Sequence, residues 1–330
     1  MYEPDPARYD SMICRRCGNS GIQLPALSLG LWHSFGNITP LGTQQAILRT
    51  AFDLGICHFD LADNYGPPYG EAERNFGILM DRDWKTHRDE LFLSTKAGYD
   101  MWPGPYGDKG SRKHLIAGLD ASLKRMRVDY VDVFYHHRPD PDTPLEETMS
   151  ALSDIVKRGK ALYIGLSNYG AGELERALYL LREMGTPCLV TQPRYSLLER
   201  KRLEGDLEEV ILREKIGCVV YSPLARGVLT GKYLTGIPED SRAAKDPRYL
   251  KPESITAAER RKVAVLSSIA AERGEKLHHM ALAWVLKNPA VTSALIGVSR
   301  PEQLVDNLQA LASPSFSEAE LTAIDAALAE

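Results

Sequence analysis

The chain has 330 residues, of which 44% are hydrophobic and 25% are charged, and its formal net charge is −4. This composition is ordinary for a soluble globular protein, and it provides no global basic field for nucleic acid or an anionic membrane. No apolar run approaches the roughly 20 residues of a membrane span, and the initial MYEPDPARYD lacks a signal-peptide pattern. We therefore expect a cytoplasmic protein.

The first 25 residues predict a tail followed by a short β-hairpin, which could cap the bottom of a barrel. Gly18, Asn19 and Gly21 supply its turn. Cys14 and Cys17 form a CxxC motif, but neither a thioredoxin-like context nor a second ligand pair accompanies it. The five cysteines are also too few and too scattered for a disulfide framework. We interpret Cys14 and Cys17 as incidental thiols of the hairpin.

From residue 26 the pattern alternates between apolar strand-like runs and amphipathic helices, which predicts parallel βα units. Eight strands are predicted, at 26–31, 56–60, 91–96, 130–136, 161–166, 189–192, 218–221 and 293–296. Eight helices are predicted near 43–55, 71–81, 111–127, 144–158, 171–184, 203–215, 276–287 and 301–310. Two further helices, near 257–273 and 317–329, fall outside this eightfold count.

A closed (β/α)8 TIM barrel with an N-terminal β-hairpin cap and extra C-terminal helices is the economical fold. No Pro/Gly/Ser-rich linker divides the chain, so residues 1–330 are expected to form one domain. A doubly wound sheet is the competitor, but the nearest match to its GxGxxG fingerprint, GAGELE at 170–175, lacks the third Gly and follows the fifth strand. The long connection from Ser222 to about Ile255 predicts a lid or binding loop.

Four polar residues stand at or just after predicted strand ends, where barrel enzymes carry their chemistry. Asp60 and Tyr65 lie in HFDLADNYG, Lys96 ends LFLSTK, and His137 follows YVDVFYH. Taken singly, Asp60 and Lys96 could be an ordinary buried ion pair, and Tyr65 could simply pack in its loop. All four at strand ends together favour an active site.

These four residue types suit hydride transfer to a carbonyl, which builds negative charge on oxygen and needs a proton donor. Tyr65 is the candidate donor, although the usual phenol pKa of about 10 is too high for easy donation near neutrality. A Lys96 ammonium about 4 Å away would supply the roughly 4 kcal/mol that lowers this pKa toward about 7. Asp60 would keep Lys96 charged and aimed, and His137 would hydrogen-bond the carbonyl oxygen.

These motifs and their order resemble the aldo-keto reductases from about Met12 to the end of the chain. The segments that carry the resemblance are GLW, HFDLADNYG, STKAG, YHHRPD, YIGLSNYG, TQPRYSLL, YSPLARGVLTGKY and LIGVSRPEQLVDN. GYDMWPGPYG and HRPDPDTPLEET resemble the bacterial L-glyceraldehyde 3-phosphate reductase branch, which is related to potassium channel β subunits. The resemblance implies NADPH-dependent reduction of small aldehydes and ketones, such as L-glyceraldehyde 3-phosphate and methylglyoxal.

The family pattern also places the site histidine directly before Arg138. Because side chains alternate along a strand, only one of His136 and His137 points inward. We therefore choose His137 for the site and expect His136 to pack behind it.

Without a Rossmann unit, a nicotinamide would lie across the barrel mouth. The resemblance assigns the carboxamide to Ser167, Asn168 and Gln192 and ring stacking to Tyr221. Trp32 of the GLW segment and Asp60 are also expected to contact the coenzyme. The long connection begins with Ser222, Leu224, Gly227 and Lys232. Gly227 and Gly231 permit close backbone approach there, and Lys232 can meet the pyrophosphate.

Gly297, Ser299 and Arg300 lie between the last strand and the helix near Pro301, which is an anion site by geometry. An arginine there fits a 2′-phosphate and therefore favours NADP(H) over NAD(H). The same helix carries residues that resemble the family's adenine contacts: Gln303, Asp306 and Asn307.

The predicted substrate pocket is rich in aromatic residues and suits a small, partly apolar carbonyl compound. Its members are Trp32, Tyr65, Tyr69, Trp102 and His137. Tyr99 and Tyr106 lie with Trp102 in the loop 99–106. A substrate phosphate would need further cations, for which Lys109, Arg112 and Arg138 are candidates. The expected partner is a small carbonyl substrate, without nucleic acid or membrane, and a homo-oligomer is compatible with the sequence.

Two other classes of function compete with the reductase. A coenzyme-sensing binding protein, like the channel β subunits, could retain all four site residues and turn over slowly. A metal-dependent hydrolase could recruit zinc through Asp60, His136 and His137, but adjacent strand residues point to opposite faces. We therefore expect no metal at the site.

Overall fold

The computed structural model of the chain describes residues 2–239, 241–246 and 250–329. An antiparallel hairpin, β1 (Cys14–Arg16) and β2 (Gln23–Pro25), precedes a closed parallel barrel of eight strands. The barrel strands are β3 (Leu27–Gly30), β4 (His58–Asp60), β5 (Phe92–Ala97), β6 (Val131–His136), β7 (Ala161–Ser167), β8 (Cys188–Gln192), β9 (Gly217–Tyr221) and β10 (Ser293–Ile296). They pair in chain order, and β10 closes the barrel against β3. The predicted TIM barrel is confirmed.

Helices follow the barrel strands and cover the outside of the barrel. They are α1 (Leu41–Asp53), α2 (Glu71–Leu79), α3 (Arg112–Met126), α4 (Leu145–Lys157), α5 (Ala171–Glu183), α6 (Asp206–Glu214), α7 (Arg242–Lys245), α8 (Ala257–Glu272), α9 (Leu277–Lys287), α10 (Pro301–Leu308) and α11 (Glu318–Ala329). The predicted extra helices correspond to α8 and α11, which pack on each other. No helix in the described ranges is long and apolar enough to cross a membrane.

The hairpin closes the N-terminal end of the barrel, as predicted. Cys17 and Leu24 are buried against inward side chains from the strand starts, such as Phe92 and Leu189. Burial raises the pKa of the Cys17 thiol to about 12, whereas Cys14 is exposed. The two thiols therefore sit in different environments, and both are free.

The barrel interior is filled by side chains that alternate along the strands. Val133 and Tyr135 of β6 both point into it. A Cβ at Gly165 would lie 2.3 Å from the Tyr135 ring, so the neighbouring strand β7 needs glycine at this position. Tyr135 thereby forms the floor beneath the polar residues at the barrel mouth.

Most predicted element boundaries lie within about two residues of those observed. The largest shift is α6, which begins at Asp206 because Gly205 adopts a positive φ of 93°. The predicted helix near 71–81 ends as an α-helix at Leu79, and the chain continues as a π-helical turn, Met80–Trp84, and a 3₁₀ helix, Lys85–Glu90. The long connection after β9 also contains local structure: the 3₁₀ helix Ala225–Thr230, α7, and the 3₁₀ helix Pro252–Ser254.

Candidate active site

A buried ion pair lies at the C-terminal ends of β4 and β5. The Lys96 ammonium donates to Asp60 Oδ2 and, at 2.7 Å, to the carbonyl oxygen of Leu61. Asp60 Oδ1 accepts from the Ser94 hydroxyl at 2.7 Å and from Gln192 Nε2 at 3.1 Å. Both charged side chains are fully buried. The three donors, which come from two strands, replace the hydrogen bonds that the Asp60 carboxylate would make to water.

The Tyr65 hydroxyl completes this group, because Lys96 Nζ lies 3.4 Å from its oxygen. Turn hydrogen bonds hold Tyr65 in the loop after β4: its N–H donates to Ala62 O at 3.0 Å, and its carbonyl accepts from the N–H of Ala72 at 3.3 Å. The structure therefore brings Asp60, Lys96 and Tyr65 together as the sequence predicted.

The expected lowering of the Tyr65 pKa is wrong for this structure. Burial, followed by the Asp60 carboxylate, raises the pKa of Tyr65 well above its ordinary value. Burial also lowers the pKa of Lys96, although Asp60 acts in the opposite direction. The Lys96 charge does not act alone, because Asp60 adds a balancing negative charge and the site is buried away from water. The phenol consequently stays protonated throughout the neutral pH range.

His137 faces Tyr65 across the barrel mouth, with ring centroids 6.0 Å apart, and Tyr99 packs edge-on against it at 4.6 Å. Burial and the Lys96 charge hold the pKa of His137 well below its usual range, so the imidazole is neutral. Its Nδ1 is buried without a hydrogen-bond partner in the part of the chain that the structure describes. His136 instead bonds through Nδ1 to the Tyr169 hydroxyl at 2.7 Å, behind the strand.

The predicted carboxamide residues lie together at the ends of β7 to β9 but are bonded to one another. Tyr221 donates to Asn168 Oδ1 at 2.8 Å, and Asn168 Nδ2 donates to His137 O at 3.0 Å and to Ser167 Oγ at 3.1 Å. The Gln192 amide nitrogen is used by Asp60. A carboxamide bound here would exchange some of these hydrogen bonds for its own.

The connection after β9 begins with residues of positive φ. Ser222 has φ 55° and Gly227 has φ 96°, and Leu224 precedes the first 3₁₀ helix. The positive φ favours glycine at position 227, and Lys232 lies close by, since a Cβ at Gly227 would be 3.4 Å from its Nζ. Lys232 is exposed and has no carboxylate partner within the described ranges.

A second cation lies at the end of β10, where the chain turns into α10. Arg300 is exposed, directly precedes that helix, and has no ion pair among the residues that the structure describes. The N–H of Ser299 donates to Gln303 Oε1 at 2.8 Å, and Gly297 faces open space. Asn307 is buried one turn further along.

Asp306, predicted to contact adenine, is held by three cationic or imidazole groups from the start of α9. Lys276 donates to it at 2.7 Å, and the Nε2 atoms of His278 and His279 lie 3.0 and 3.1 Å from its oxygens. Burial acts against ionisation, but these contacts lower the pKa of Asp306 to about 2. The adjacent histidines were a visible signal in the sequence that the prediction did not use.

The predicted substrate aromatics fall into two groups. Trp32 lies beside Tyr65, with ring centroids 6.3 Å apart. Trp102 is about half exposed and packs edge-on against His114 at 5.7 Å, and the Tyr69 hydroxyl reaches Asp100 at 3.5 Å. Trp32 therefore borders the reacting residues, while Trp102 and Tyr69 belong to the outer loops.

Each candidate cation for a substrate phosphate has its own carboxylate partner. Lys109 pairs with Asp142 and Arg112 with Asp154. Arg138 donates to Asp108 at 2.7 Å and to Gly98 O at 2.9 Å. Each of these three positive charges is therefore balanced by a separate carboxylate.

Two buried residues beside the ion pair were missed by the sequence prediction. Ser94 is two positions before Lys96, so strand alternation already placed it on the same face. Asp63 is fully buried, and neither of its carboxylate oxygens has a well-formed hydrogen bond in the described part of the chain. Burial and the nearby Glu73 raise the pKa of Asp63 well above its ordinary value.

We expect Asp63→Asn to raise the free energy of unfolding near neutral pH. Because the folded-state pKa exceeds the unfolded value of about 3.9, the native state binds the extra proton, and stability falls as pH rises between the two values. Asparagine does not titrate, so this loss is absent from the variant. Its free energy of unfolding should exceed that of the wild type by about 1.4 kcal/mol for each pH unit between the unfolded-state pKa and the working pH. Urea unfolding between pH 5 and pH 8 would show a gap over the wild type that widens with pH.

The matched control is Asp129→Asn at an exposed aspartate, which should show no such widening. An Asp63→Asn variant that is less stable at every pH would mean that the carboxylate is ionised and stabilised by a partner.

The chain is similar to known proteins over nearly its full length. The family model described as aldo/keto reductase matches residues 26–329. An L-glyceraldehyde 3-phosphate reductase of Escherichia coli K12 is 53% identical over 329 residues, covering 99% of this chain and 95% of that protein. Probable voltage-gated potassium channel β subunits of Oryza sativa and Arabidopsis thaliana are 39% and 38% identical, each covering 91% of both chains. The chain belongs to the aldo/keto reductase family and is an oxidoreductase.

Proposed function

We propose that the chain reduces small aldehydes with NADPH and that L-glyceraldehyde 3-phosphate is its principal substrate, with methylglyoxal and similar compounds as further substrates. The observation that carries the chemistry is the Lys96 ammonium 3.4 Å from the Tyr65 hydroxyl, beside the Asp60 carboxylate. The substrate is proposed from the 53% identical relative. We further propose that residues 1–330 act as one barrel domain.

The catalytic roles are proposed for Asp60, Tyr65, Lys96 and His137. A bound nicotinamide would supply the hydride. Tyr65, protonated at neutral pH, donates its proton to the oxygen that becomes alkoxide, and the Lys96 ammonium stabilises the phenolate left behind. Asp60 keeps Lys96 charged in this buried place. A neutral His137 can donate one N–H to the carbonyl oxygen and so orient it.

The chemistry of the donors at the mouth fits a phosphorylated nicotinamide coenzyme. Lys232 and Arg300 are exposed cations without carboxylate partners among the described residues, and Gly297 leaves open space beside the backbone. We propose that Lys232 meets the pyrophosphate and Arg300 the 2′-phosphate. The remaining proposed coenzyme residues are Trp32, Asp60, Ser167, Asn168, Gln192, Tyr221, Ser222, Leu224, Ser299, Gln303, Asp306 and Asn307.

Arg300→Ala should weaken NADPH binding by about 10- to 100-fold, because a charge-assisted hydrogen bond to phosphate is lost. NADH, which lacks the 2′-phosphate, should be affected much less. Fluorescence titration with both coenzymes measures this difference. Arg261→Ala, at an exposed arginine of α8, is the control. Equal weakening of NADPH and NADH would place the 2′-phosphate elsewhere.

The proposed function is tested by following NADPH oxidation with methylglyoxal, glyceraldehyde and both enantiomers of glyceraldehyde 3-phosphate. We expect the L enantiomer of the phosphate to have the highest kcat/KM. A preference for the D enantiomer, or for an unphosphorylated aldehyde, would reject the proposed substrate. The similarity to probable channel subunits supports a second candidate, a coenzyme-sensing protein with slow turnover.

A further inference from the structure

A group of arginines lies at the barrel mouth beside Tyr221, and the sequence prediction did not use it. Arg194 follows β8 and pairs with Tyr221 of β9 in a parallel bridge. Its guanidinium bonds to Glu199 at 2.8 Å, and Arg202 bonds to the other oxygen of Glu199 at 3.1 Å. One carboxylate is thus shared by two arginines, whereas Lys109, Arg112 and Arg138 each have a carboxylate of their own.

Arg194 points toward the reaction centre by strand geometry. Gln192, two residues earlier, reaches inward to Asp60, and side chains two apart share a face. Residues paired directly across a parallel bridge also share a face, and Tyr221 turns inward to Asn168. Arg194 therefore lies one side-chain layer, about 6–7 Å, further toward the mouth than Gln192.

Open space adjoins these arginines. A cavity of about 430 Å³ lies between the loops after β7 and β8, and Arg194, Lys201 and Arg202 contribute its cations. Its acidic residues are Glu204 and Asp206, and Glu204 is already bonded to Arg200 at 2.8 Å. Arg226 is also close to Arg194. Burial is the main cause that lowers the pKa of Arg226, and the Arg194 charge is the next. Positive charge is therefore concentrated on this side of the mouth.

We propose that Arg194, assisted by Arg202, binds the phosphate group of a small phosphorylated aldehyde whose carbonyl lies at Tyr65. This inference rests on the proposed function and deepens it by naming the residues that select a phosphate ester. A guanidinium presents a planar fork that matches phosphate oxygens. Gln192 bonds to Asp60 beside Lys96 and Tyr65, and Arg194 lies one layer further out, the direction in which a phosphate two carbons from the aldehyde carbon would extend. Binding draws Arg194 from Glu199, and Arg202 assists by remaining paired with Glu199, so that this carboxylate is not left uncompensated beside the phosphate.

The test compares L-glyceraldehyde 3-phosphate with L-glyceraldehyde, which differs only in lacking the phosphate. In Arg194→Met the ratio of their kcat/KM values should fall about 10- to 100-fold, because a charge-assisted hydrogen bond is lost. Arg194→Lys, which keeps the charge but not the fork, should recover part of the ratio. Arg182→Met, at an exposed arginine of α5 paired with Glu214, is the control. Because the ratio is taken within one preparation, partial misfolding does not alter it.

Two further outcomes separate this inference from the function on which it rests. If the ratio is unchanged in Arg194→Met while Arg138→Met lowers it, the phosphate binds at Arg138 and the inference is wrong. If Arg194→Met instead weakens NADPH binding and leaves the ratio intact, these arginines serve the coenzyme pyrophosphate, and the inference is again overturned. A wild-type protein that reduces neither aldehyde would reject the proposed function itself.

Discussion

Tyr65→Phe is expected to lower kcat for aldehyde reduction by about 10²- to 10⁴-fold, which is the usual contribution of a positioned general acid. The substitution removes only the hydroxyl that lies 3.4 Å from Lys96, and the ring keeps its packing near Trp32 and His137. Coenzyme affinity should therefore change little. Steady-state kinetics with NADPH and fluorescence titration of NADPH measure the two quantities.

Tyr179→Phe is the matched control, because Tyr179 is exposed on the outer helix α5 and is none of the residues proposed for the site. A Tyr65→Phe enzyme that retains a large share of the wild-type kcat would remove Tyr65 from the donor role. Another protonated group, or water, would then have to supply the proton.

Lys96→Met is expected to lower both activity and stability. It leaves the fully buried Asp60 carboxylate without its ammonium partner, and breaking a buried pair in this way costs about 3–5 kcal/mol of unfolding free energy. It also removes the charge that stabilises the Tyr65 phenolate, so kcat should fall by at least about 10²-fold. Urea unfolding and steady-state kinetics provide the two measurements.

The double variant Asp60→Asn with Lys96→Met separates the two effects. Replacing both members of a buried pair avoids the uncompensated charge, so most of the lost stability should return. Activity should not return, because no ammonium lies beside Tyr65. A double variant that regains activity would contradict the role of Lys96.

The fold was readable from the sequence because apolar strands and amphipathic helices alternate with little interruption. Boundaries differ where local geometry decides them. The helix α6 starts late because Gly205 has a positive φ, and the segment after α2 stays helical through the fully buried Trp84. Residues 240 and 247–249 of the predicted lid after β9 lie outside the described residues.

The convergence of Asp60, Tyr65, Lys96 and His137 also followed from the sequence, because the ends of parallel barrel strands meet at one face. The pKa values of these residues did not follow from the sequence. The pKa of Tyr65 depends on how much water the fold excludes and on the opposing charge of Asp60, and neither is visible in spacing. Likewise, the partners of Arg112 and Asp306 come from other helices and could not be assigned from motifs alone.

The most direct test of the proposed reductase is a single-turnover experiment with the preformed protein–NADPH complex. Mixed with excess L-glyceraldehyde 3-phosphate in a stopped-flow instrument, the complex should lose its reduced-nicotinamide absorbance at a rate of about 1 s⁻¹ or faster. The same mixture made with Tyr65→Phe should keep its absorbance on this time scale. If wild-type protein binds NADPH tightly but leaves it reduced in the presence of this and the other aldehydes, the reductase account is contradicted, and a coenzyme-sensing protein takes its place.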